Sequence, residues 1–124
     1  MKSVFTTNAP TPAGHYSQAI VHNDLVFVSG ILPITPDGQK LSEADLSTQA
    51  QQVFANLKAI LEAAGTSPDK VIKTTIFITD VSLWGAVNAL YADFFGEHRP
   101  TRSIVPIKDL HYGLLLELEA IAVL

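Results

Sequence analysis

The stretch "YGLLLELEAIAVL", residues 112–124, decides the fold. Side chains of a strand alternate between its two faces. Leu114, Leu116, Leu118, Ala120, Ala122 and Leu124 therefore point one way, and Leu115, Glu117, Glu119, Ile121 and Val123 the other. The first row is unbroken apolar surface and calls for a covering layer. The second sets two carboxylates among aliphatic groups, and a carboxylate in apolar company costs free energy unless something pairs with it or hydrogen-bonds to it. Two readings stay open. Either this face is half-wet and both glutamates are solvated, or it packs on another subunit that satisfies them.

The segment before it, "RPTRSIVPI" (99–107), reads as a further strand, with Arg102, Ile104 and Pro106 on one face. Pro106 has no N–H to give to a ladder, which predicts an edge or a bulge there. Arg102 is a cation inside β structure, and its planar fork of donors suits a carboxylate bidentately. Its neighbour in sequence is the glutamate strand. Arg102 either cancels the charge of a strand glutamate or holds the carboxylate of a small ligand while a glutamate handles a water.

Working back toward the N-terminus, "VIKTTIFIT" (71–79) is a β-branched strand. Leu46, Ala50, Val53, Leu57, Ile60, Leu61 and Ala64 recur at three- and four-residue spacing, the stripe of an amphipathic helix. Ser42 with Asp45 is its candidate cap and Gly65 its stop. A second helix is predicted from Ser82 to Phe95, capped by Asp80 or Ser82 and ended by Gly96. "VFTT" (4–7), "AIVH" (19–22) and "LVFVSG" (25–30) are short strands, the last two joined by an Asn23-Asp24 hairpin turn. Pro36, Asp37 and Gly38 mark another turn. Three strands, helix, strand, helix and two strands make an α+β plan, a mixed sheet with two helices on one face.

A chain of 124 residues suits a single domain over 1–124. With 48% hydrophobic and only 16% charged residues, part of the surface is expected to be hidden against another subunit. A net charge of −4, with eight scattered Lys and Arg, repels phosphate backbones and anionic membranes, so neither nucleic acid nor a membrane is an expected partner. No cysteine is present, which excludes disulfides, thiolate catalysis and Cys-ligated zinc. The first ten residues lack an apolar signal-peptide region, so a cytoplasmic location is expected. His15, His22, His98 and His111 have no metal-ligand spacing, and Ser29 sits in "VSGI" rather than a nucleophile elbow.

Six blocks then carry more than pattern: "AGHYSQAI" (13–20), "FVSGILP" (27–33), "KTTIFITD" (73–80), "VNALYADFF" (87–95), "TRSIVPI" (101–107) and "LELEAIAV" (116–123). In this order and spacing the chain resembles the RidA/YjgF family, the reactive-intermediate deaminases. The resemblance implies a chorismate-mutase-like fold, a homotrimer, and a ligand cleft at each subunit interface. It places the carboxylate-gripping arginine at Arg102 and the water-positioning glutamate at Glu117. The remaining substrate-binding positions fall on Tyr16, Ser29, Gly30, Asn88 and Ile104. Ile104 stands where the family's catalytic branch usually has cysteine, a residue acting mainly through its backbone N–H. His15 replaces the usual proline before the tyrosine, and "GEHRPTRS" is a few residues shorter than the common loop.

The reaction so implied is hydrolysis of 2-enamine and 2-imine acids, released by dehydratases acting on serine or threonine, to 2-keto acids and ammonia. It requires no metal or organic cofactor. The alternative is a non-catalytic protein that binds a small carboxylate in the same cleft as a regulatory or sensing signal. Ribonuclease activity is also associated with the family, and the acidic charge argues against it here.

Overall fold

The computed structural model describes residues 1–124. Six strands form one mixed sheet: β1 (Lys2–Val4), β2 (Ala19–His22), β3 (Leu25–Ile31), β4 (Val71–Ile78), β5 (Thr101–Pro106) and β6 (Leu116–Val123). Two helices, α1 (Leu46–Ala64) and α2 (Trp84–Phe95), cover one face. The sheet order is β1-β2-β3-β6-β4-β5, with β4 and β5 the parallel pair and the other pairings antiparallel. A parallel pair needs a crossover, and α2 supplies it.

The last strand lies inside the sheet, between β3 and β4, with its leucine row covered as expected. Leu116, Leu118, Ala120 and Ala122 are buried beneath the helices, and Leu114 joins them just before the strand begins. Leu124, the last of that row, lies past the end of the strand and is 46% exposed. Val53, Leu57, Ile60 and Leu61 of α1 complete the core, each such side chain contributing about 2 kcal/mol through burial. Asp45 caps α1 by accepting the Thr48 N–H at 2.8 Å, which holds its carboxyl below the usual range. Gly65 ends the helix in a left-handed turn at φ 90°, while Ser42 takes no part in the cap. The Asn23-Asp24 hairpin turn has both residues at positive φ, 50° and 62°, matching the twist of its strands.

Three expectations are corrected. The first strand is Lys2–Val4 rather than 4–7, because the buried Gln18 side chain takes the Thr6 N–H and draws the chain off the sheet. The second helix begins as a tight 3-10 turn, Val81–Leu83, capped by Asp80, and becomes α-helical only at Trp84. Finally, β5 does not lie beside β6. It is an edge strand, as Pro106 requires, and β4 separates it from the glutamates.

The second sheet face has no helix over it. It carries Leu25 and Phe27 of β3, Thr75 and Phe77 of β4, and Glu117, Glu119 and Ile121 of β6. Phe27 is 42% exposed there, beside Lys73, Thr75, Glu119 and Ile121.

Candidate functional site

The register decides which site residues can meet. Thr74 pairs with both Arg102 and Ala120, so Arg102 belongs to the helix-covered face, where Thr74 bonds the Tyr91 hydroxyl at 2.8 Å. Phe77 pairs with Glu117, which places Glu117 on the uncovered face. Within one chain, Arg102 and Glu117 are on opposite sides of the sheet and two strands apart. The charge-cancelling pair does not form: the one ion pair of the chain is Lys58–Glu62.

Arg102 is held by α2. Its Nη1 donates to Asn88 Oδ1 at 2.9 Å, and its guanidinium lies 4.8 Å from the Tyr91 ring centre and 5.6 Å from that of Trp84. Trp84, Asn88 and Tyr91 fall on one helical face at spacings of four and three residues. Asn88 orients the fork and the rings supply an electron-rich platform. The other guanidinium donors find no partner within the chain. The guanidinium is thus held in place with donors left over. Ile104, two residues on, packs its side chain against the core.

The second group gathers around β3. Tyr16, Ser29 and Gly30 line one cavity of about 260 Å³. Tyr16 Oη accepts the Ala13 N–H at 3.3 Å, and Ser29 Oγ donates to the Ser17 carbonyl at 2.7 Å, fastening the 13–18 loop to the sheet. That hydroxyl proton is committed, leaving Ser29 as an acceptor. The β3–β6 register shifts between Val28 and Ile31, at Ser29-Gly30. Gly30 is needed there: a Cβ would stand 2.9 Å from Glu117 Oε1 and 3.0 Å from its Cδ. The missing side chain makes room for the carboxylate. Burial pushes the Glu117 carboxyl above the usual glutamate value; nearby His111 opposes the shift and Glu119 adds to it.

The chain thus brings Tyr16, Ser29 and Gly30 together on one cavity, with Glu117 against Gly30, and separately Arg102 with Asn88. Trp84 and Tyr91 stack against Arg102, a contact that the sequence reading did not assign, although their spacing around Asn88 carried the signal. Lys40 and Tyr112, which also line the cavity, were missed for lack of any local motif. No group of His, Asp and Glu side chains is arranged to hold a metal ion, and no helix is long and apolar enough to cross a membrane.

Comparison with known proteins places the chain in a family. The family described as Endoribonuclease L-PSP matches residues 6–124. A RutC family protein of Pyrococcus horikoshii is 44% identical over 119 residues, covering 96% of this chain and 94% of its own. The 2-iminobutanoate/2-iminopropanoate deaminase of Salmonella typhimurium is 41% identical over 125 residues, covering 98% and 97%. The crystal structure of E. coli TdcF with bound serine superposes with a TM-score of 0.93 at 41% identity, covering 100% of this chain and 99% of that one.

Proposed function

The chain belongs to the Endoribonuclease L-PSP family, the RidA/YjgF proteins, and from that premise we propose that it hydrolyses 2-imino acids to 2-keto acids and ammonia. The observation that carries this reading is the unpaired, preorganised guanidinium of Arg102. A second observation, the raised carboxyl of Glu117 against Gly30, supplies a group able to hold and partly deprotonate a water.

The two must act on one substrate, and the sheet keeps them apart within a chain. The site is therefore assembled from Arg102 and Asn88 of one subunit and Tyr16, Ser29, Gly30 and Glu117 of its neighbour. The uncovered face is the surface available for that assembly, a homotrimer in which every chain gives one half-site and receives the other. Arg102 grips the substrate carboxylate and fixes the adjacent imine carbon. Water held by Glu117 adds to that carbon, a C–O bond forms, and the nitrogen takes up a proton. The carbinolamine then passes its hydroxyl proton to the nitrogen, the C–N bond breaks to release ammonia, and the C=O of the keto acid remains. Orientation supplies most of the acceleration this reaction needs.

The assay generates 2-aminocrotonate with threonine dehydratase and traps residual imine with semicarbazide. The chain is expected to accelerate 2-ketobutyrate release, and Arg102→Ala to abolish the effect. Equal acceleration by that variant sinks the assignment. A sensor of small carboxylates is the second reading, favoured by the relative that holds serine. Tight 2-ketobutyrate binding with no acceleration would select it.

A further inference from the structure

The cavity that Tyr16, Ser29 and Gly30 share extends to a second wall, made of Ile34, Lys40 and Tyr112. Its parts are fixed by buried amides. Asn56 of α1, fully buried, donates to the Ile34 carbonyl at 2.8 Å and secures the segment leading to Lys40. Gln49, two helical turns earlier, accepts the Leu115 N–H at 2.9 Å and secures the segment leading from Tyr112. Gln18 donates to the Thr6 and Pro10 carbonyls and fastens the near wall.

Lys40 itself emerges from a closed turn. The Thr35 N–H donates to the Gln39 carbonyl at 2.9 Å, the Gly38 N–H to the Thr35 carbonyl at 2.8 Å, and Ile34 bridges to Lys40. Asp37 also lines the cavity, with its carboxylate accepting the Thr35 hydroxyl inside the turn. Lys40 Nζ has no carboxylate partner and rests 4.7 Å from the Tyr112 ring centre. Tyr112 is presented there by a left-handed backbone, φ 62°, an unusual conformation for a bulky residue. A built, mostly apolar pocket with a single unpaired ammonium at its rim suits a side chain with an aliphatic stem and an anionic tip.

We propose that this cavity receives the substrate side chain and that Lys40 selects 2-imino and 2-keto acids carrying a second carboxylate. The proposal rests on the site assignment above, with Arg102 on the first carboxylate. Calorimetry of the whole protein with 2-oxoglutarate and with 2-oxopentanoate, which has a methyl group in place of the distal carboxylate, tests it. Wild type is expected to bind 2-oxoglutarate about tenfold more tightly, the scale of a charge-assisted hydrogen bond. Lys40→Gln should bring the two affinities together, and Arg102→Ala should weaken both. Binding of both acids with no preference, or a preference unchanged by Lys40→Gln, overturns the role of Lys40 alone. Binding of neither acid overturns the site assignment and this proposal with it.

Discussion

Glu117 occupies the space that a side chain at Gly30 would need, and the consequences are specific. Adding one methyl group at position 30 puts a Cβ within 2.9 Å of a carboxylate oxygen. That oxygen ends a flexible side chain, so the chain still folds and the carboxylate moves instead. Gly30→Ala is expected to retain a near wild-type melting temperature and lose about a hundredfold in kcat/KM, the cost of roughly 1 Å of misplacement. Glu117 gives a pH signature as well. Its raised carboxyl must be deprotonated to act as base, so kcat/KM should fall with acid at a higher pH than an ordinary glutamate allows, and Glu117→Gln should abolish that limb. Stability follows the same group. The folded chain holds this proton more tightly than the unfolded chain, so stability declines as pH rises from the ordinary glutamate value through the raised one. Melting curves of Glu117→Gln should match wild type below that window and lie above it at neutral pH.

Among the elements, α1 does more than fill the core. Its stripe was legible because Leu46 through Ala64 repeat at helical spacing, and the central strand because its leucines alternate without a break. Gln49 and Asn56 interrupt the buried side of that helix, and their purpose was hidden, since their partners Leu115 and Ile34 lie 66 and 22 residues away. The same distance hid the sheet order. Nothing local in "TRSIVPI" says that β4 will intervene between it and the glutamates, and adjacency in sequence misled. Asn88 was named only through the resemblance, because its partner Arg102 arrives from another strand. Asn56→Ala removes the buried donor to the Ile34 carbonyl and leaves the Gln52 amide without its acceptor. Denaturant unfolding should show a loss of about 1–3 kcal/mol.

At the scale of the whole molecule, the fold and the site pose one problem with one solution. A six-stranded sheet armoured on one side leaves Phe27, Phe77 and Ile121 on the other, with Phe27 42% exposed. The same sheet sets the cationic and acidic halves of the site on opposite sides. The homotrimer proposed above would relieve both conditions at once, covering that face and setting each Arg102 across a substrate cleft from a neighbour's Glu117. Complementation between two inactive variants tests this most directly. Arg102→Ala and Glu117→Gln proteins are unfolded together, refolded as an equal mixture, and assayed for 2-ketobutyrate release. If each site draws one residue from each of two subunits, about one quarter of wild-type activity returns, the share of interfaces that random mixing leaves intact. Activity no greater than that of the two variants refolded separately would contradict a site shared between chains.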